Sequence, residues 1–172
     1  MAAWPTNAVA QRMANGPESV ANGGWMAAVS TIFAIPGVIL APELVQTAQG
    51  VRLDFAAVNV ATGYPFFAFE GKGPNYNWDN LAGEVQQSCD GLRPNAFQGY
   101  TYGLGGSGRG CIFLEYDGAQ SRYLTVNGGG VVGRQQHRQV FDIVNDQWAI
   151  SRILTVIVGL TRYHGGTVRI QP

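Results

Sequence analysis

The feature that most constrains the fold of this chain is a run of 24 residues without a charge, from Ser19 to Pro42. The middle of the run, Trp25–Ala41, is almost wholly apolar, whereas the residues that follow alternate as in the strands of a β protein. A soluble β domain does not need an apolar segment of this size near its N-terminus. The segment therefore packs on the rest of the fold as a structural belt, or it contacts a membrane or another subunit.

The spacing of apolar residues in this run predicts a one-sided helix that ends at Pro36 and Gly37. The stripe and its end consist of Trp25, Met26, Val29, Ile32, Phe33 and Ile35. The strongly apolar residues between Trp25 and Ala41 favour membrane insertion by only ~2–4 kcal/mol, so a permanent single span is not expected. A conditional, amphipathic insertion within an oligomer is compatible with this gain. These six residues are therefore our candidates for membrane insertion.

After Val51 the apolar period changes from about 3.6 to 2, which predicts short strands separated by turns. The predicted strands are Val51–Ala57, Phe66–Glu70, Leu81–Ser88, Cys111–Tyr116, Ser121–Asn127, Gln139–Val144, Arg152–Val158 and Thr167–Gln171. For Arg152–Val158 a buried helix stays an alternative. Short helices are predicted at Thr6–Ala14 and at Pro42–Gln49, with Gly50 after the end of the second.

This pattern indicates a mainly β fold: a β-sandwich of about seven or eight short antiparallel strands, with one or two N-terminal helices packed on it. Residues 1–50 would form an apolar, partly helical arm and residues 51–172 the β-sandwich domain. At 172 residues the two parts are expected to make one structural domain.

Composition and charge narrow the classes of function. Charged residues make up 13% of the chain, about half of the ~25% usual in soluble domains, and the formal net charge is zero. This balance disfavours disorder, and it disfavours nucleic acid as a partner. The N-terminus lacks the basic region of a Sec-type signal, so we expect secretion by a non-Sec route or release, with a cytoplasmic location left open. Cys89 and Cys111 either form a disulfide or stay thiols.

The sequence contains no convincing catalytic or metal-binding motif. Gly103–Gly108 matches GxGxxG, but a strand follows where a dinucleotide site needs a helix, so a flexible glycine loop is the favoured interpretation. Ser107 with His137 or His164 lacks the GxSxG elbow of a hydrolase. We therefore expect no enzyme activity, no metal and no cofactor.

An aromatic, Asn-rich segment is the most informative candidate for binding. Aromatic faces stack on sugar rings or lie at lipid headgroups, while Asn and Asp bond to hydroxyl groups or phosphate. The candidate headgroup- or glycan-binding residues are Asn75, Tyr76, Asn77, Trp78, Asp79, Tyr100 and Tyr102. The alternative is that Tyr76 and Trp78 cap the core, that the Asn residues form turns, and that Tyr100 and Tyr102 are half-buried strand residues.

Three segments give the chain a resemblance to a known family. Gly50–Gly63 (GVRLDFAAVNVATG) resembles the first core strand and turn of actinoporin-like cytolysins, Gly108–Val126 their central hairpin, and Gly165–Ile170 their last strand. The related fungal fruit-body lectins share the same β-sandwich. The resemblance implies a sandwich that binds lipid headgroups through an aromatic cluster and then inserts its N-terminal helix into an oligomeric pore. It makes Trp25–Ala41 the inserting segment.

Two functions follow as expectations. The first is a membrane-targeting, pore-forming toxin that binds a lipid headgroup or a glycan, forms a homo-oligomer and inserts its N-terminal arm. The alternative is a glycan-binding lectin, or a self-assembling structural or interaction protein without enzymatic activity. The sequence alone does not choose between them.

Overall fold

The computed structural model describes residues 3–42, 45–46, 51–92 and 100–162. The helices are α1 (Asn7–Asn15), α2 (Glu18–Phe33), α3 (Trp78–Leu92) and α4 (Gln147–Arg162). The strands are β1 (Val38–Pro42), β2 (Val45–Gln46), β3 (Val51–Arg52), β4 (Phe55–Asn59), β5 (Pro65–Lys72), β6 (Thr101–Ser107), β7 (Gly110–Tyr116), β8 (Ser121–Val126), β9 (Val132–Gln135) and β10 (Phe141–Asp142).

One sheet of eight strands organises the described part of the chain, in the order β1-β4-β5-β6-β7-β8-β9, with β10 paired to β7. Neighbouring strands are antiparallel except β5 and β6, which run parallel and are connected through α3. The mainly β fold with seven or eight mostly antiparallel strands is therefore confirmed. The β-sandwich is not confirmed, because helices rather than a second large sheet cover the described sheet.

Side chains on the central strands alternate between two hydrophobic layers. Phe67 and Phe69 of β5 belong to the layer that includes α1, α2 and α4, whereas Ala68 between them belongs to the layer under α3. The same alternation places Phe113 in the first layer and Ile112 in the second. The sheet is thus covered by three helices on one face and by α3 on the other.

Helix α2 contains the predicted apolar stripe and packs with it on the sheet. Trp25, Val29 and Phe33 are fully buried. The Trp25 Nε1–H donates a hydrogen bond of 3.0 Å to the carbonyl oxygen of Gly108, and the Phe33 ring lies 5.0 Å from the Phe67 ring. The remaining candidates of the stripe, which are Met26, Ile32 and Ile35, are partly buried against the same layer. Burial of each large side chain contributes about 1.5–3 kcal/mol, so α2 forms part of the core.

Two strand predictions are wrong because a helical face was read as a strand. Leu81–Ser88 lies in α3, where Leu81, Val85 and Cys89 recur every four residues and are all buried against the sheet. Arg152–Val158 lies in α4, whose buried face includes Ile153, Leu154 and Ile157, so the alternative of a buried helix is the correct one for this segment. β-branched residues are compatible with a helix when tertiary packing buries them, and here packing overrides their intrinsic preference.

The other predictions of secondary structure had mixed outcomes. Asn7–Asn15 forms a helix where Thr6–Ala14 was expected to, and the side chain of Thr6 caps it. The predicted helix at Pro42–Gln49 is wrong in the part that the structure describes, since Pro42 ends β1 and Val45–Gln46 form β2. Of Gln139–Val144 only Phe141–Asp142 is a strand. The predicted strand Thr167–Gln171 lies outside the described residues.

The glycine-rich segment predicted to be a flexible loop is the buried central strand β6 and the turn after it. Its glycines allow helices to approach from both faces. A Cβ atom at Gly105 would lie 2.9 Å from both Leu81 Cγ and Val85 Cγ2 of α3. A Cβ atom at Gly106, on the opposite face, would lie 2.7 Å from the indole of Trp25. The glycines are therefore a packing requirement, because any side chain would separate a helix from the sheet.

We expect Gly106→Ala to destabilise the protein by about 1–3 kcal/mol, because the buried indole of Trp25 has no room to move away from a new methyl group. Gly23→Ala is the matched control: Gly23 lies on the exposed side of α2, and its Cβ would meet nothing within 4 Å. That change should stabilise the protein by roughly 0.5–1 kcal/mol through helix propensity. Urea unfolding of the two variants measures both effects. Equal stability of the two variants would contradict the close packing of α2 on β6.

A buried carboxyl group lies between β5 and α3. Glu70 is 7% exposed, and the Ser88 hydroxyl donates a hydrogen bond of 2.5 Å to its Oε1. Burial raises the pKa of Glu70 to about 7; the carboxylates of Asp54 and Glu84 act in the same direction, and the Ser88 hydrogen bond and Lys72 act against it. The folded chain therefore keeps this proton up to nearly neutral pH.

We expect the free energy of unfolding to fall as pH rises from about 4.5 to about 7. In this range the unfolded chain loses the Glu70 proton while the folded chain keeps it. The free energy of unfolding therefore decreases by about 3 kcal/mol. Glu70→Gln keeps an acceptor for Ser88 and has no charge to bury. The variant should be more stable than the parent at pH 8 and should lose this part of the pH dependence. Urea unfolding between pH 5 and 8 tests this, and parallel curves for the two proteins would refute it.

Candidate functional site

A pocket of about 280 Å³ opens at the end of the sheet where β5 and β6 finish. The end of α1, the loop between β5 and α3, the turn between β6 and β7, and β10 with the residue before it enclose the pocket. Its lining residues are Ala14, Pro74, Asn75, Tyr76, Trp78, Ser107, Gly108, Arg109, Gly110, Val140, Phe141 and Asp142. The carboxyl ends of adjacent parallel strands are where open sheets with crossover helices place their ligands.

The loop before α3 is held in one conformation by its own polar groups. The Ser107 hydroxyl donates to the carbonyl oxygen of Gly73 and accepts from the backbone N–H of Tyr76, both at 3.0 Å. Asn75 has a positive φ of 65°, which Asn adopts more readily than most residues. Asn77 Oδ1 accepts the backbone N–H groups of the first turn of α3, as an N-cap residue does. The pocket wall is thus formed in advance.

Two aromatic side chains of this loop line the pocket while resting on the protein. The six-membered ring of Trp78 lies over Gly110, where a Cβ atom would be 3.2 Å from its Cζ2 and Cη2 atoms. The Tyr76 hydroxyl donates a hydrogen bond of 2.5 Å to Glu84 Oε1, and the Lys72 ammonium lies 5.7 Å from the Tyr76 ring centroid. Both rings are half-buried against the core under α3, as the core-cap interpretation predicts, and the rest of each ring stays accessible at the pocket.

An arginine and an aspartate that both line the pocket form a direct, bidentate ion pair. Arg109 donates from Nε to Asp142 Oδ2 at 2.5 Å and from Nη2 to Oδ1 at 2.6 Å. Burial acts to raise the pKa of Asp142, but the bonds from Arg109 and from the backbone N–H groups of Asn145 and Val144 lower it below its ordinary value. The hydrogen bonds to Asp142 raise the pKa of Arg109. Both groups are therefore charged at neutral pH.

The structure brings only part of the predicted site together. Asn75, Tyr76 and Trp78 line the pocket. Asn77 caps α3, and Asp79, with its side chain 77% exposed, pairs with Arg138 beside the pocket.

The two tyrosines of the glycine-rich segment lie elsewhere. Tyr102 is buried at the start of β6 beside Glu115, and burial raises its pKa. Tyr100 is 44% exposed just before β6. The pocket lies at the other end of this seven-residue strand, about 20 Å away.

Sequence reasoning missed the charged residues of the pocket. Arg109 and Asp142 are separated by 33 positions, and the antiparallel pairing of β10 with β7 brings them together. Ser107, considered as a nucleophile, instead bonds to the loop backbone with its hydroxyl. His164 lies outside the described residues.

The cysteines are buried free thiols in different layers of the fold. Cys89 belongs to the layer under α3 and Cys111 to the layer on the opposite face of the sheet. Burial raises the pKa of both thiols. Within the described ranges, no group of three His, Cys, Asp or Glu side chains is arranged to hold a metal ion. None of the described helices combines the length and apolarity needed to cross a membrane.

Comparison with known proteins supplies no relative from which a role could be transferred. No protein-family model matches the chain, and no curated protein or solved structure is significantly similar to it. Function is therefore inferred from the pocket and from the packing around it.

Proposed function

We propose that this protein is a non-catalytic binding protein that holds one sugar ring of a glycan or glycolipid in the pocket beside α3. The observation that carries the proposal is the convergence of two aromatic rings and fixed polar groups on one preformed pocket. Its volume of about 280 Å³ is near the lower limit of the ~300–1,000 Å³ usual for small-molecule sites, which suits a single ring.

The lining matches the two kinds of surface that a sugar ring presents. The C–H groups of a pyranose form an apolar face, which the half-buried ring of Trp78 can cover. Hydroxyl groups at the ring edge both donate and accept hydrogen bonds. The two bonds from Arg109 to Asp142 use two of the five guanidinium N–H donors, and Asn75 adds an exposed amide. Because the loop is fixed before binding, little entropy is lost in ordering it.

Replacement of the aromatic wall tests this proposal. Trp78→Ala should weaken the binding of a monosaccharide by at least about fivefold, because the stacked contact is lost. Trp148→Ala is the matched control, since Trp148 is 58% exposed on α4 and does not line the pocket. Saturation-transfer NMR against a panel of free monosaccharides measures both variants without relying on tryptophan fluorescence.

The outcome is decisive in either direction. Trp78→Phe keeps a ring on Gly110, so it should fold and retain most of the binding. Binding that is unchanged in Trp78→Ala, or a parent protein that binds no sugar of the panel, would overturn the proposal.

A membrane-active function is the second candidate, and the exposure of apolar residues near the arm favours it. Ile39 on the edge strand β1 is 55% exposed, and Val60 in the turn between β4 and β5 is 53% exposed. In the mechanism implied by the resemblance to actinoporin-like cytolysins, α2 leaves the sheet and inserts in an oligomer. Exposing Trp25, Val29 and Phe33 would cost roughly 5–9 kcal/mol, more than the ~2–4 kcal/mol of insertion. Contacts between subunits would have to supply the difference.

A reversible lock on α2 tests this second candidate. A Cβ atom at Gly71 on β5 would lie 2.6 Å from Asn22 Cγ on α2, which places these positions within reach of a disulfide. The same Cβ would lie 2.8 Å from the Phe69 ring, so circular dichroism must first show that the double variant folds. If α2 inserts, Asn22→Cys combined with Gly71→Cys should release dye from liposomes when reduced and release none when oxidised. Equal leakage in both redox states, or no leakage by the parent from phosphatidylcholine, sphingomyelin or glycolipid vesicles, would exclude arm insertion. The native thiols do not interfere, because both are buried.

A further inference from the structure

The charged groups around the pocket are paired with one another, and this pairing limits what the pocket can bind. Arg109 forms an ion pair with Asp142, and Arg138 forms one with Asp79. Lys72 pairs with Glu84, with 2.8 Å between Nζ and Oε2. Each described cation at the rim is thus matched by a carboxylate.

Two further carboxylates add negative charge behind these pairs. Asp146 Oδ2 accepts the backbone N–H of Asp142 at 2.7 Å, and the charge of Glu18 acts on Lys72. The electrostatic environment of the pocket is therefore neutral to slightly negative, although an arginine lines it.

Asp142 is held so firmly that a ligand cannot easily displace it. Besides the two bonds from Arg109, its Oδ1 accepts the backbone N–H groups of Val144 at 3.0 Å and Asn145 at 2.9 Å. An anionic ligand that approached Arg109 would meet this fixed carboxylate at short range. A hydroxyl group would meet no such repulsion, because it can use the remaining guanidinium N–H donors while the ion pair stays intact.

We propose that the pocket selects an uncharged sugar ring and discriminates against acidic sugars and phosphate-bearing headgroups. This inference rests on the proposed function and names its ligand class. It separates the two partners that the sequence left open, because a phosphate headgroup needs an unpaired cation whereas a neutral glycan does not.

Matched sugars that differ in one group test the selection. NMR titrations at pH 7 compare glucose with glucuronate and galactose with galacturonate. Phosphocholine and inorganic phosphate are titrated in the same way as phosphate-bearing probes. We expect each neutral sugar that binds to do so at least about tenfold more tightly than its uronate, and phosphocholine and phosphate not to compete. A parent protein that binds the uronate or phosphate as tightly as the neutral sugar would overturn this inference and leave sugar binding itself standing. The absence of binding by any sugar would instead overturn the proposed function.

A pair of isosteric variants tests whether Asp142 is the selecting group. In Asp142→Asn the amide oxygen still accepts from Val144 and Asn145, but the charge of Arg109 is no longer balanced, so the preference for the neutral sugar should shrink about tenfold or reverse. Asp117→Asn is the control: Asp117 accepts two backbone N–H groups in the turn after β7, at the far end of that strand. If Asp142→Asn and Asp117→Asn had the same preference for the neutral sugar over its uronate, the proposed role of Asp142 would be contradicted. If Asp142→Asn does not fold, Arg109→Gln should weaken uronate binding more than neutral-sugar binding, and the opposite order would overturn the inference.

Discussion

The close contact of helices with the two faces of strand β6 is the constraint on which the rest of the structure depends. Strand β6 has glycine at positions where a side chain would keep α3 away on one face and Trp25 of α2 away on the other. Interiors packed at crystal-like density have no slack to absorb even one methyl group at such a contact. The strand at the centre of the described sheet is therefore the one with the most glycine, which is the reverse of the usual composition of a buried strand.

The pocket follows from the same contact. Because α3 connects the parallel strands β5 and β6 and lies close against them, its N-terminal loop comes to the carboxyl end of the sheet beside the β6–β7 turn. That turn carries Arg109, and the indole N–H of Trp25 is bonded to the adjacent residue, Gly108. The end of α1 completes the wall through Ala14. The apolar arm thus contributes directly to the candidate binding site, through the Trp25–Gly108 hydrogen bond and through Ala14.

Local patterns in the sequence were sufficient for elements whose signal is also local. The predicted strands Cys111–Tyr116 and Ser121–Asn127 form the hairpin of β7 and β8, and Gly118 in the turn between them has the positive φ typical of such turns. Helix α3 was missed, and α4 was foreseen only as the alternative to a strand, because short apolar runs are compatible with either period until their partners are known. Three residues of the aromatic segment line the pocket, but the Arg109–Asp142 pair beside them depends on strand pairing between distant segments and has no local signature.

The hydrogen bond from Trp25 to Gly108 has a thermodynamic consequence that joins the two candidate functions. Since α2 supports the pocket floor through this bond, a molecule whose α2 has left the sheet also loses the support of its binding site. A ligand that binds only the docked form stabilises it by RT ln(1 + [L]/Kd), which amounts to about 2.7 kcal/mol at a hundredfold excess over Kd. Occupancy of the pocket by such a ligand would therefore oppose release of the arm.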